Sequence, residues 1–207
     1  MRDRDLVRLY WPVELRPAFD ALLDIDEALG DVVAKATEPA LAAIKLAWWR
    51  ERLQELDEGM APAEPRLQAA ADELLPRHVT GGDLAQLEEG WAGLLHDPPD
   101  GAFPTEHGTR LFRLGARLLD VAFDDATIGV AGRLFAGVEA ARRGLLDLVP
   151  GSAGSGGPRI ARRARPLTAL AALAARDLRR GGPPFEPEAT PGRAWTLLRH
   201  RWTGHLD

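Results

Sequence analysis

The stretch that decides the fold of this chain is TEPALAAIKLAWWRERL, at residues 37–53. Proline is favoured in the first turn of a helix and glycine just past its end, so the pattern predicts a helix from Pro39 to about Gly59. Trp48 and Trp49 are adjacent in that helix, where neighbouring side chains point about 100° apart. Both indoles can be buried only if the helix is covered over a wide arc. We therefore expect a central helix, with either indole able to line an apolar cavity between helices.

The rest of the chain has the same helical character. Alternation of Val, Ile and Tyr, which is typical of strands, is almost absent, and Pro/Gly clusters separate the helical patterns. These patterns cover residues 18–36, 66–78, 83–96, 105–123 and 126–149, with two more helices after residue 158. The sequence therefore predicts an all-α fold.

Composition favours one domain that spans residues 1–207. The chain is 45% apolar and 28% charged, which is enough apolar material for one sizeable core. The Gly/Ser-rich stretch at 150–158 predicts a flexible loop inside that domain, because the segments after it are too short to bury a core alone. With no Cys, disulfide scaffolds, Cys-ligated metals and thiol nucleophiles are excluded. No apolar stretch reaches the roughly 18 residues of a membrane span, so we expect a cytoplasmic protein.

Charge is unevenly distributed along the chain. The net charge is −5, but residues 158–207 contain ten Arg and four acids, a net of +6, which leaves −11 for residues 1–157. We expect the basic end to pack on the acidic body, and no nucleic-acid partner. The alternative is that residues 159–180 contact nucleic acid or an anionic membrane. Leucine spacing within that segment favours a helix packed on the body.

An acidic stripe is the most prominent polar pattern. Asp20, Asp24, Glu27 and Asp31 fall within about 60° of one helix face, at about 100° per residue. Such carboxylates could bind Mg²⁺. The apolar residues of the same helix lie on the opposite side, so a solvated face of an amphipathic helix explains the stripe without a bound cation. We favour the solvated face.

The histidines and serines give no catalytic or metal motif. None of the five histidines pairs with another at i, i+4, and we expect them at the surface or as helix caps. The two serines, Ser152 and Ser155, both lie in the predicted loop and lack a nucleophile motif. No serine hydrolase is predicted.

Residues 37–53, together with LY at 9–10 and PAFDAL at 17–22, resemble the N-terminal part of squalene/phytoene synthase-like proteins. Those proteins carry the signature (S/T)-E-P-x-x-x-x-I-(R/K)-L-x-W-W-R-x-x-L. Residues 87–95 and 193–206 are more loosely similar to bacterial members. The resemblance implies the isoprenoid synthase fold, in which helices surround a deep and largely apolar cavity.

The resemblance also implies where a metal would bind. In active members, two aspartate-rich motifs hold Mg²⁺, which binds the diphosphate of a prenyl substrate. The first motif falls on residues 30–34, where Asp31 is the single acid, and the second near residues 140–144, where there is none. Arg133 stands where the family commonly has Gln. No metal or cofactor is therefore expected in this chain.

We accordingly expect a divergent, non-catalytic member. It would bind an isoprenoid or another apolar ligand, or a partner protein as an assembly or scaffold factor. The alternative is a prenyl transferase that condenses prenyl diphosphates with Mg²⁺. Peripheral contact with an anionic membrane fits both functions. The residues that could serve a transferase or a diphosphate are Glu27 and Asp31 as metal ligands, with Lys45, Arg133 and Arg163 on phosphate.

Overall fold

A computed structural model describes residues 1–122, 124–147 and 159–206. The model is 70% helical and contains no strand in these residues, which confirms the all-α prediction. The predicted loop at 150–158 lies outside the described residues. No helix in the described chain is both long and apolar enough to cross a membrane. The helices are α1 (Asp3–Arg8), α2 (Arg16–Ala34), α3 (Pro39–Glu55), α4 (Pro65–Glu73), α5 (Gly81–Gly93), α6 (Phe103–Leu118), α7 (Asp125–Arg142), α8 (Arg165–Arg179) and α9 (Pro191–Thr203).

Helix boundaries follow local signals closely. α3 begins at Pro39 as predicted, and a short 3₁₀ turn joins its end to Gly59. Gly59 adopts a φ of 80°, in the left-handed region that favours glycine. α7 ends at Arg142 rather than near residue 149, and Gly144 follows with a φ of 72°. α1 was not predicted because a six-residue segment shows too little periodicity.

The central helix is α2, not α3. α2 contacts α1, α3, α4, α5 and α6, and it buries eleven of its residues, among them Phe19, Ile25 and Leu29. α3 lies at the side of the bundle, where Trp49 is 7% exposed and Trp48 is 43% exposed. The two indoles pack edge to face with ring centroids 5.4 Å apart. Trp49 itself thus covers part of Trp48. The two adjacent indoles are therefore accommodated on a helix that other helices cover on one side only.

α6 and α7 cross in close contact at two glycines. A Cβ atom on Gly108 would collide with the backbone of Gly132, and one on Gly132 would collide with the backbone of Gly108. Only glycine allows two helix backbones to approach this closely. The α6–α7 pair therefore combines main-chain contact at the two glycines with side-chain packing, such as that of Phe112 on Phe135.

The C-terminal segment packs on the body, as expected for segments too short to bury a core alone, although Arg193 is the one of its arginines that the described ion pairs join to an acid of the body. α8 contacts α1, α6 and α7, and α9 packs on α8 and α1. Eleven residues of α8 are buried, so this helix is part of the core and not an exposed basic surface. The amide of Ile160 donates to the carbonyl of Gly204 at 2.8 Å, which holds the start of this segment against its end.

We predict that Gly132→Ala destabilises the protein by about 1–3 kcal/mol, because the new methyl group forces the α6 and α7 backbones apart. Gly137→Ala, in the same helix, is the matched control, since its Cβ would meet Pro104 at an ordinary 3.6 Å. That control should raise the free energy of unfolding by about 0.4–1 kcal/mol. Urea denaturation followed by circular dichroism measures both. Equal effects of the two substitutions would contradict the proposed backbone contact.

Candidate functional site

The largest pocket described lies between α1, α2, α7 and α8 and has a volume of about 300 Å³. That volume is at the lower end of the range for small-molecule sites, roughly 300–1,000 Å³. Its wall includes an apolar set of side chains from three helices: Leu23, Phe135, Val138, Leu170, Leu173 and Ala174. The same pocket is bordered by charged side chains. It therefore joins an apolar surface to a polar rim.

The charges of the rim neutralise one another. Five arginines and six acids line the pocket, and each arginine has a carboxylate partner. The pairs are Arg2–Glu27 at 3.0 Å, Arg4–Asp24 at 2.6 Å, Arg142–Asp177 at 2.8 Å, Arg143–Glu139 at 2.7 Å and Arg193–Asp3 at 2.6 Å. With one more carboxylate than guanidinium, the rim has no excess of positive charge to attract an anion.

One wall of the pocket is a buried ion cluster centred on Arg193, which is 2% exposed. Its Nε atom donates to Asp3 at 2.7 Å, and its Nη1 atom donates to Asp177 at 2.5 Å. Arg142 donates to the second oxygen of Asp177 at 2.8 Å. Burial alone would lower the pKa of Arg193, but the hydrogen bonds that its guanidinium donates to Asp3 and Asp177 raise the pKa above its ordinary value. The guanidinium therefore stays charged inside the protein.

A second buried cluster surrounds Asp26, which lines the pocket and is 6% exposed. The indole of Trp91 donates to Asp26 Oδ1 at 2.9 Å. His107 Nε2 lies 2.8 Å from the same oxygen, at an angle outside a well-formed hydrogen bond. The His107 ring is stacked on Phe103, with centroids 4.7 Å apart. Burial favours the neutral carboxyl, yet His107, Trp91 and Arg143 outweigh it and lower the pKa of Asp26.

The expectation that the histidines lie at the surface or cap helices is wrong for two of them. His107 is 1% exposed and His200 is 2% exposed. His200 Nδ1 contacts the carbonyl oxygen of His205 at 2.8 Å, and its Nε2 lies 3.0 Å from the Thr168 hydroxyl. Burial and the nearby Arg165 and Arg199 lower the pKa of His200. It is therefore a neutral core histidine with both ring nitrogens in hydrogen-bonding contacts.

Three carboxylates of the acidic stripe of α2 pair with arginines at α1 and its N-cap. Arg4 contacts Asp24 and Glu27, Arg8 contacts Asp20 at 2.5 Å, and Arg2 contacts Glu27. The four carboxylate side chains remain 30–40% exposed, so the stripe is a half-solvated face that also borders α1. The alternation RDRDLVR at residues 2–8 is the signal that would have indicated it, because Arg2, Arg4 and Arg8 match the spacing of the stripe.

The structure does not bring the other predicted site residues together. Lys45, Arg133 and Arg163 are exposed on α3, on α7 and before α8. Trp48 and Trp49 belong to α3 and line neither of the two pockets described. Of the predicted set, Glu27 alone lines the larger pocket.

The residues present do not fit a magnesium site for a diphosphate. Glu27 is occupied by Arg2 and Arg4, and Asp31 pairs with Lys35 at 2.8 Å. A cation would have to displace these positive side chains from both carboxylates. Among the described residues, no group of three or more His, Asp or Glu side chains is arranged to hold a metal ion.

Comparison with known proteins leaves the family open. No family model, curated protein or solved structure matches the chain. The likeness to squalene/phytoene synthase-like proteins therefore depends on the residues that suggested it, chiefly 37–53.

We predict that Asp26→Asn lowers the free energy of unfolding by about 3 kcal/mol at neutral pH, because it removes the buried negative charge beside Arg143 and His107. The folded-state pKa of Asp26 is below its ordinary value of 3.8. Its contribution is therefore complete above that value and is lost as the pH falls through the folded-state pKa. The difference in free energy of unfolding between wild type and Asp26→Asn should therefore shrink as the pH falls.

Denaturation in urea at several pH values between 7 and 2 measures this difference. Asp24→Asn is the control on the same helix, since its carboxylate is 38% exposed. Its effect should stay below about 1 kcal/mol. If the free energy of unfolding differed between Asp26→Asn and wild type by the same amount at every pH, that result would contradict a charged Asp26.

Proposed function

We propose that this protein is a non-catalytic, squalene/phytoene synthase-like protein with an isoprenoid synthase-like fold. We propose that it binds an isoprenoid or another apolar ligand in the pocket between α1, α2, α7 and α8. The observation that carries this proposal is the combination of an apolar pocket wall with a rim whose five arginines already have carboxylate partners. Such a rim suits the uncharged polar end of a long apolar molecule.

The same rim argues against a prenyl diphosphate as the ligand. A diphosphate brings several negative charges to a surface that already has six carboxylates and five guanidinium groups. To bind it, arginines such as Arg142 would have to leave their carboxylate partners, which removes hydrogen bonds from the buried cluster around Asp177. An isoprenoid alcohol or hydrocarbon requires no such exchange. The transferase alternative therefore has less support from the described residues.

A partner protein is the second candidate, and α3 favours it. Leu41, Ile44 and Trp48 are 51%, 67% and 43% exposed, and their i, i+3, i+7 spacing puts them on one face. An exposed apolar strip of this kind is typical of protein interaction sites. An assembly or scaffold role would use this face and leave the pocket unchanged.

Isoprenoids partition into membranes, so the proposed ligand also indicates where the protein would meet it. We propose that the protein is cytoplasmic and works peripherally at the inner face of a membrane, where an isoprenoid is available.

We predict that farnesol or geranylgeraniol displaces an environment-sensitive lipid probe from the pocket, with at least the affinity of the matching diphosphate. Ala174→Leu should weaken binding by about tenfold or more, since the larger side chain fills part of a small pocket. Ala43→Leu, on the exposed side of α3, is the matched control and should bind as wild type.

The decisive comparison is the same protein incubated with Mg²⁺ and farnesyl or geranylgeranyl diphosphate. We expect no release of pyrophosphate. Turnover that depends on Mg²⁺ and is lost in Asp31→Asn would establish the transferase alternative instead. If the folded protein binds neither the alcohol nor the diphosphate, the ligand-binding proposal is refuted. The exposed face of α3 then remains as the candidate site, for a partner protein.

A further inference from the structure

A basic and aromatic surface lies at the end of the bundle formed by α9 and the segment 159–165, apart from the ligand pocket. Trp195 and Trp202 are 60% and 65% exposed. Seven residues apart on α9, they lie within about 20° of each other around the helix, at 100° per residue. Leu198, which is partly exposed, lies between them. The outer face of α9 is thus a continuous apolar strip.

Arginines surround this strip. Arg199 and Arg201 lie on opposite sides of it, and the segment 159–165 adds four more at the C-terminal end of α9. This segment is held in place by hydrogen bonds from Arg159 to the carbonyl of Thr203 at 2.9 Å and from Arg165 to the carbonyl of Arg201 at 2.7 Å. We call the whole the α9 surface, made of Trp195, Leu198, Trp202, Arg159, Arg162, Arg163, Arg165, Arg199 and Arg201.

Among the residues that the structure describes, the arginines of the α9 surface have no carboxylate partner. Residues 159–176 and 189–206 contain no Asp or Glu. In the described part of the chain, none of the six guanidinium groups of this surface forms an ion pair, unlike the five at the ligand pocket. Arg159 and Arg162 are close enough to Arg165 to add to the effect of burial in lowering its pKa. This is unneutralised positive charge on a protein whose net charge is −5.

A small basic pocket opens beside this strip. It has a volume of about 170 Å³ and is lined by Arg162, Arg165 and Arg201, with Tyr10 and the neutral His200. No carboxylate is among its lining residues as the structure describes them. Arginine guanidinium groups match the geometry of phosphate oxygens. The pocket therefore has the chemistry of a site for a phosphate group.

We propose that the α9 surface docks the protein on an anionic phospholipid bilayer, with a lipid phosphate in the basic pocket and the two indoles in the interface. Tryptophan prefers the membrane–water interface, and arginine stems lie along apolar surface while the charged ends reach the headgroups. A nucleic acid would leave Leu198 without a partner, because stacked bases contact ring faces and not an aliphatic side chain. This inference depends on the proposed membrane location and identifies the surface and the lipid class.

Flotation of the full-length protein with vesicles tests the proposal. One set contains phosphatidylcholine alone, and the other contains about one third phosphatidylglycerol. We expect binding to the anionic vesicles to be at least about tenfold stronger, and to fall steeply in about 0.5 M salt. Tryptophan emission should shift to shorter wavelength on binding.

Two variants probe the two parts of the surface. Arg162→Glu with Arg163→Glu should weaken binding about 25-fold or more, since each arginine near an anionic surface contributes about fivefold. Trp195→Ser with Trp202→Ser should weaken binding and abolish most of the emission shift. The matched controls are Arg133→Glu on α7 and Trp48→Ser on α3, both at exposed positions. They should bind vesicles as wild type does.

Several outcomes would overturn the proposal. They are equal binding to both vesicle types, equal losses in the control variants, or tighter binding of a single-stranded oligonucleotide than of anionic vesicles. Complete competition by millimolar inorganic phosphate would identify a free-phosphate site instead of a lipid site. Farnesol binding measured without vesicles separates this proposal from the ligand pocket, because the Arg162/Arg163 variant should retain it.

Discussion

The ion cluster of Asp3, Arg193 and Asp177 holds together the parts of this protein that are most distant in sequence. Arg193 lies 190 residues after Asp3, and their side chains meet with almost no exposure to solvent. Desolvating these charges is costly, so the cluster is stable only while its hydrogen bonds are complete. Its completion requires α1, α8 and α9 to be in place together. The same side chains form a wall of the ligand pocket, so the pocket exists only in the fully assembled bundle.

Pairing of charges decides what each surface of the protein can bind. At the ligand pocket every arginine is paired with a carboxylate, so the apolar wall is the part of the pocket that would favour binding of a ligand. On the α9 surface the arginines are unmatched, and long-range attraction to anions remains. A count of arginines alone would treat the two regions alike. Their difference depends on which acids lie within a few ångströms, and it distinguishes the site proposed for an uncharged ligand from the surface proposed for an anion.

Local signals in the sequence were sufficient for the helices after α1 and insufficient for the site. Pro39 marks the start of α3, and the amphipathic pattern of residues 18–36 corresponds closely to α2. Asp26 was overlooked because it lies next to the acidic stripe and its buried partners, Trp91 and His107, come from α5 and α6. Contacts between residues so far apart in the sequence produce no periodic pattern along the chain. Trp48 and Trp49 misled for the opposite reason, since a large side chain can be partly covered by its own neighbour.

The glycine crossing between α6 and α7 has a mechanical consequence. Two helices whose backbones touch can neither slide nor rotate without collision, so α7 is a rigid wall of the ligand pocket. α1 is held to the body both by charged side chains at the surface and by the buried residues Asp3 and Val7. The pocket is therefore bounded by main-chain contact on the α7 side, and on the α1 side it can change shape through its half-exposed side chains, such as that of Arg2.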